Sequence, residues 1–536
     1  MKRREFLRYT TLGGLALSGS GLLVHALAGR HTQALPTALL DNASIPAGQP
    51  LQPLPRIANL SDQVGRFQSV LTPAAHAVPV GDGLEAKLWL YNGKVLPLIE
   101  VHEGDELEIT LINELEHQTT LHWHGVPVPQ AQDGAPWDAL LPGTSRHYRY
   151  VFHRGSAGLH WFHPHPHEGT ARQVAHGLAG ALLVRPRLDV LPIEVQEHLL
   201  VVSDLRLNMD GEVAPHTSED WMNGREGELL LVNGQREPRL DVAPGTTLRL
   251  RLVNACAGRY LRLRLEDHEL TLIGTDGGLI ERPQALEELL LTPGERVDLL
   301  VRISEKSERS FELASHPYTR GWMGDKPAHL GEIAPLLSIH TRNAGVIPTV
   351  ALPDPLSHIE PLGEPAVKRQ VELTELMPDH GDHGAANGDP HASHGGSESH
   401  HGTHGQGHGH GASHASGDEI AVRPEVDFLI NGRAFAMDEI LFEGQVGEVE
   451  EWEVFNNSHM DHPFHVHGTH FQVIATRDID SEWRDAPWLA WKDTVNLAPY
   501  QRLRLRMVFL EPGDWLFHCH IIEHEELGMM ATIRIS

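Results

Sequence analysis

Four His-x-His pairs stand out in the 536-residue chain: His122-Trp123-His124, His163-Pro164-His165, His465-Val466-His467 and His518-Cys519-His520. On a β-strand, residues i and i+2 face the same side, so each pair aims two imidazoles at one point. A single such pair is usually a pair of surface histidines; four in matched register are not. Eight imidazoles meeting at a face between domains could hold three metal ions, two with three ligands and one with two. Neutral imidazole suits copper, zinc, iron or nickel. The last pair carries a second chemistry. Cys519 lies between two of these histidines, so its side chain faces the opposite way, where it can meet His462, His524 and Met529. Two imidazoles, a thiolate and a weak axial thioether form a blue-copper electron-transfer set. Met530 is the rival axial ligand, but it adjoins Met529 and points away. Pro164, at the matching place in the other half, has no ligand atom. Cys256, the only other cysteine, follows a strand in a stretch without such pairs and reads as a buried thiol.

The elements that must position these residues repeat three times. Asn92-Gly93, Asn233-Gly234 and Asn431-Gly432 are hairpin-turn dipeptides flanked by apolar residues. Gly104 and Gly245 follow eleven positions after the first two turns, and Gly447 fifteen after the third. Each of these glycines opens an alternating stretch closed by an asparagine: 104–113, 245–254 and 447–456. Period-two alternation marks half-buried strands. Three copies predict three related β-sandwiches, over 45–190, 191–345 and 367–536. Eighteen residues past Gly104 and Gly447 stand His122 and His465; the same count past Gly245 reaches Leu263. The middle sandwich is therefore expected to hold no metal.

Composition limits the alternatives. A net charge of −29 argues against nucleic acid as the main partner and favours attraction for cations. Two cysteines exclude a disulfide framework, whereas 39 histidines suit a metal protein. Residues Lys2-Arg3-Arg4-Glu5-Phe6-Leu7-Arg8 form a twin-arginine signature, followed by a weakly apolar run and Ala26-Leu27-Ala28, an A-x-A cleavage pattern. Residues 1–28 are expected to be a cleaved export signal, placing the mature protein in the periplasm. No later stretch reaches the length of a membrane anchor.

With these motifs in hand, the chain resembles the multicopper oxidases. His122-Trp123-His124-Gly125, His163-Pro164-His165, His462-Pro463-Phe464-His465-Val466-His467-Gly468 and the segment from His518 through His524 to Met529 look like that family's four copper motifs. The resemblance implies an all-β fold of three cupredoxin-like Greek-key sandwiches and four copper ions. It would give the type 2 copper to His122 and His465. One type 3 copper would go to His124, His163 and His518, the other to His165, His467 and His520. Type 1 would take His462, Cys519, His524 and Met529. Asp133 and Glu525 match acids that family members use to relay protons. Four electrons stored across four coppers would take O2 to water without releasing partly reduced oxygen.

Within the family, Trp161-Phe162-His163-Pro164-His165, the stretch Gly169 to Val174, and Gly177-Leu178-Ala179-Gly180 are similar to the periplasmic cuprous oxidases of bacterial copper efflux. The departure lies on the substrate side. Those enzymes carry a methionine-rich insert in the third domain. Here residues 378–418 contain no Met and ten His between His380 and His414. This composition cannot bury a core and is expected to be mobile. It suits capture of Cu(II) or Zn(II). Met377, Asp382 and Met460 resemble, by spacing, that subgroup's substrate-copper ligands, but Ser458 stands where an acid is expected.

The reading that follows is an exported monomer that oxidises Cu(I) with O2 in copper tolerance. A laccase-like or bilirubin-oxidase-like phenol oxidase is the nearest alternative, and a His-rich copper-storage protein an alternative of another class. Storage has no use for a thiolate centre joined to a three-metal cluster. A nitrite reductase fits worse, since that family implies two domains and one type 2 copper.

Overall fold

Each Asn-Gly pair closes a tight hairpin. Asn92 and Gly93 have φ of 54° and 64°, Asn233 and Gly234 53° and 75°, Asn431 and Gly432 51° and 72°. Two successive positive φ values define the hairpin turn whose twist matches its strands, and Asn-Gly tolerates them at least cost. The computed structural model in which these turns appear describes residues 38–81, 83–376 and 423–536.

The strands stack as three β-sandwiches. In the middle one, a six-stranded sheet runs Leu229–Val232, Gln196–Leu205, Thr247–Asn254, Arg296–Arg302, Leu270–Thr275, Gly278–Leu286. Facing it is a five-stranded sheet: Arg239–Val242, Ala334–Thr341, Ser310–His316, Leu261–Leu265, Leu289–Leu291. The C-terminal sandwich repeats this plan. Its central Val449–Asn457 lies between Val367–Leu376, in parallel, and Arg502–Val508. Its five-stranded sheet runs Phe442–Gly444, Met530–Ile535, Gly513–Cys519, His462–Val466, Thr494–Leu497. The N-terminal sandwich is a shorter version, with four-stranded and three-stranded sheets and a hairpin of Pro73–Gly81 with Leu84–Tyr91. Each sandwich closes over its own apolar core. No helix among the described residues is long and apolar enough to cross a membrane.

The closing asparagines do the same work three times. Asn113 Nδ2 donates to the carbonyls of His117 and Leu140, Asn254 to those of Arg259 and Leu291, Asn456 to those of Met460 and Leu497. All three are fully buried, and each donates to loop carbonyls at the same place in its sandwich.

These anchors also correct the register of the middle sandwich. Leu261 pairs with Leu291 as His462 pairs with Leu497. Arg264, not Leu263, thus occupies the rung of His465, and Leu263 that of Phe464. The loop after Asn254 is one residue longer than the loop after Asn456, which a count from the glycine does not register. Across the sheet Leu263 faces Ser315, as Phe464 faces Cys519. Ser315 therefore holds the thiolate's place and Leu261 that of His462.

Candidate metal centres

The strand His462–Val466 pairs antiparallel with Gly513–Cys519, and His122–His124 with Gly158–His163. His465 lies opposite His518 and His122 opposite His163, so equivalent rungs carry imidazoles in both sandwiches. The two sandwiches meet at these rungs. Ring centroids of His122 and His467 are 4.0 Å apart, and those of His124 and His465 3.9 Å. All eight rings are buried.

Hydrogen bonds fix which nitrogen of each ring faces inward. Nδ1–H of His122 donates to the Asp133 carbonyl (3.0 Å), that of His465 to the Asp493 carbonyl (2.9 Å), and that of His163 to the Pro164 carbonyl (2.9 Å). A carbonyl only accepts, so the proton sits on Nδ1 and the Nε2 lone pair is free. The Nε2 atoms of His122, His163 and His465 are buried without a hydrogen-bond partner. Three inward lone pairs lacking donors are what a cation completes. Burial also holds His124, His163, His165, His465 and His520 below the usual imidazole range, and His467 down to about 3, so these rings are neutral.

The rings sort into sets. Donor atoms within 4.8 Å of one another group His122 with His465 and His467, His122 with His124 and His163, and His165 with His467 and His518. His520 Nε2 lies 3.2 Å from His124 Nδ1, with its ring 5.7 Å from that of His163. This corrects the expected division of the last pair. His518 joins His165 and His467, while His520 joins His124 and His163. Both imidazoles of the pair face the same side, so their spacing leaves the choice to the docking of the two sandwiches.

On the far side of the same strand, Cys519 Sγ is 3.4 Å from His462 Nδ1 and 3.9 Å from His524 Nδ1. Burial pushes its thiol pKa up, which a metal ion must overcome to bind the thiolate. Both imidazoles turn Nε2 outward: His524 donates to the Met222 carbonyl at 3.1 Å, and its ring stacks on Phe428. Met529 is buried in the same core as Cys519. Met530 packs elsewhere, against Ala135 and Leu516.

A thiolate set and an eight-imidazole set thus share one strand end, covalently joined through 518–520. Multicopper oxidase family models match residues 74–189, 196–328 and 410–536, more than half of the chain. The chain belongs to the multicopper oxidase family. A multicopper oxidase of Campylobacter jejuni, described as a metallo-oxidase, is 36% identical and superimposes with a TM-score of 0.81, covering 93% of this chain and 98% of that one. Multicopper oxidase mco of Staphylococcus epidermidis is 29% identical over 83% of each chain. The cell division protein FtsP of Escherichia coli is 28% identical over 100% of this chain and 99% of its own. Members of the family are copper-dependent oxidoreductases that use O2.

The fit to this family's copper rests on the orphaned inward nitrogens and the thiolate set. Two acids expected from the sequence lie against the eight-imidazole set. Asp133 Oδ2 accepts from His467 Nδ1 at 2.8 Å. Burial opposes its charge, but His467 and His122 overcome that and hold the carboxyl well below the usual range. Glu525 lies 3.2 Å from His518 Nδ1 and 3.6 Å from His165 Nε2. Burial, reinforced by Glu526 and Glu523, drives its pKa well up, which favours the protonated carboxyl. It also lines a cavity of about 650 Å³ with Arg423 and Glu526.

Two acids were missed. Asp493 Oδ1 is 3.1 Å from His124 Nε2. Glu375 Oε1 is 3.2 Å from His462 Nε2, which also meets Ser458 Oγ at 2.9 Å. Glu375 and Ser458 thus share the outer nitrogen of His462. Met460 is buried, its carbonyl accepting from Ser458 Oγ at 3.1 Å. Met377, Asp382, the stretch 378–418 and residues 1–28 lie outside the described residues.

Proposed function

We propose that this multicopper oxidase is exported to the periplasm by its N-terminal signal and couples four oxidations of Cu(I) to Cu(II) with reduction of O2 to two waters, consuming four protons. His462, Cys519, His524 and Met529 would hold type 1 copper, and His122 and His465 type 2. His124, His163 and His520 would hold one type 3 copper, and His165, His467 and His518 the other. When bound, these coppers accept single electrons and deliver them to O2. The protein residues do the rest. The backbone from His518 to His520 joins the two centres by a short covalent path. Glu525 holds a proton beside the cluster and faces a cavity that reaches outward. Asp133 orients His467 and, through its carbonyl, His122.

The observation carrying the cuprous reading is the Glu375 carboxylate on the outer nitrogen of His462. Burial opposes its charge, and His459 and His462 hold it ionised. A buried anion at the imidazole that receives electrons attracts a small cation and disfavours a bulky phenol. The description of the Campylobacter relative as a metallo-oxidase supports this. Met377, Asp382 and Met460 remain assigned to substrate copper, and 378–418 to capture of further Cu or Zn. The three sandwiches are assigned to 45–190, 191–345 and 367–536, in a monomer.

The test is O2 uptake by copper-loaded mature protein, first with stabilised Cu(I), then with a phenol. Faster uptake with Cu(I), reduced in Glu375→Gln, is the expected result. The reverse ranking makes the protein a laccase. Bound copper without uptake makes it a store.

A further inference from the structure

We infer that the metal-free middle sandwich is a positioning element of the cluster, acting through a buried clamp of Arg296 and Asp276 on the Asp493-Thr494 pair. This rests on the assignment of His124 and His465 as cluster ligands.

Asp493 and Thr494 hold two ligands that belong to different copper ions in that assignment. Asp493 Oδ1 takes His124 Nε2–H at 3.1 Å, which leaves His124 Nδ1 bare and inward. The Asp493 carbonyl takes His465 Nδ1–H at 2.9 Å, which leaves Nε2 bare. Thr494 Oγ1 lies 3.2 Å from His124 Nε2 and 3.1 Å from His465 Nδ1, and donates to Asp493 Oδ1 at 2.8 Å. One dipeptide thus sets the tautomer and direction of both rings. Such outer partners tune metal affinity almost as strongly as the ligands themselves.

What holds this dipeptide comes from the middle sandwich. Arg296, fully buried, grips the Asp493 carboxylate with both terminal nitrogens, Nη1 at 2.7 Å. A two-pronged guanidinium fixes the plane of a carboxylate, which a lysine cannot do. Arg296 Nε donates to the Leu159 carbonyl at 3.1 Å, on the strand that leads to His163. One side chain therefore touches all three sandwiches. Asp276 holds the other side. Its Oδ1 accepts the Arg296 amide at 2.8 Å, and its Oδ2 is approached by the Asp493 and Thr494 amides at 3.3 and 3.4 Å and by Lys492 Nζ at 3.1 Å. The preceding residue is tied as well: the Trp491 carbonyl accepts from Gly277 N at 2.9 Å and Thr275 Oγ1 at 3.0 Å. Gly125, directly after the first His-x-His pair, makes room for the clamp. A Cβ there would sit 2.0 Å from Arg296 Nη2.

Simple domain packing would accept any well-filled contact here. The clamp predicts a loss confined to the cluster. The test compares full-length wild type with Arg296→Lys and with the near-isosteric Asp276→Asn, all loaded with copper. The readouts are copper retained against a chelator, the type 2 electron paramagnetic resonance signal and the visible thiolate band. Arg296→Lys is expected to hold cluster copper about 10–100-fold more weakly and to alter the type 2 signal, with the thiolate band unchanged. Asp276→Asn is expected to move both in the same direction by less. The thiolate band certifies that each variant is folded. Wild-type copper retention and type 2 signal in either folded variant overturn the clamp. If wild type itself gives the thiolate band but takes no cluster copper, the ligand assignment fails instead.

Discussion

Leu261 and His462 stand on the same rung of two sheets with the same strand order, as do Ser315 and Cys519. The sandwiches around them share their Asn-Gly turns, their buried asparagine and even an irregularity in one strand, at Leu272/Gly274 and at Val473/Ala475. One supplies a thiolate set; the other fills the same space with leucine and closes an apolar core. The scaffold is thus indifferent to the chemistry placed on it. What distinguishes a metal-binding face is a handful of side chains with free lone pairs, plus outer partners that turn those lone pairs inward. The middle sandwich lacks the first and, on the inference drawn above, contributes to the second through Arg296.

The strongest way to test this contrast is to make the C-terminal sandwich resemble the middle one. Cys519→Ser places the middle sandwich's residue at the thiolate position. Turnover with any reductant is expected to fall to background and the visible band to vanish, while the type 2 resonance signal persists. Loss of the type 2 signal as well would mean that the two centres are not separable.

The shared asparagine gives a smaller, matched effect. Asn254→Ala and Asn456→Ala each remove the amide donor shared by buried loop carbonyls, and each is expected to cost about 1–3 kcal/mol, read from denaturant unfolding. Only Asn456→Ala should also shift the visible band, because Asn456 Oδ1 holds Ser458, which meets His462. Equal shifts in both variants would break the separation of scaffold from site.

The smallest effect belongs to the reverse graft. Ser315→Cys restores the sulfur in the middle sandwich, opposite leucines that offer no nitrogen. Stability should change by less than about 1.5 kcal/mol, and added Cu(II) should produce no second thiolate band. A new band would show that the sulfur alone recruits its partners.

Much of this was legible in the sequence, because the relevant physics is local. Strand periodicity alone places His122 beside His124 and turns Cys519 away from His518 and His520. Positive φ at Asn-Gly makes the turns readable as turns. The unread features involve residues brought together over long separations. Glu375 is 87 residues from His462, and Asp493 369 from His124, so no spacing rule connects them. The allotment of His518 and His520 depends on how two sandwiches dock. The one-residue slip at Leu263 arose in a loop, where length changes leave no mark on strand alternation.

The clustering of ligands from both ends of the chain has a consequence for when copper can be held. His165 and His518 lie 3.4 Å apart by their Nε2 atoms yet are separated by 353 residues. During synthesis the first sandwich is complete long before the strand Gly513–Cys519 exists, and until that strand docks no more than six of the eight imidazoles can be in place. The full set of lone pairs comes into being only when the final strand docks. On the ligand assignment proposed above, tight retention of cluster copper is therefore a certificate of completion, which a truncated or half-folded chain cannot counterfeit.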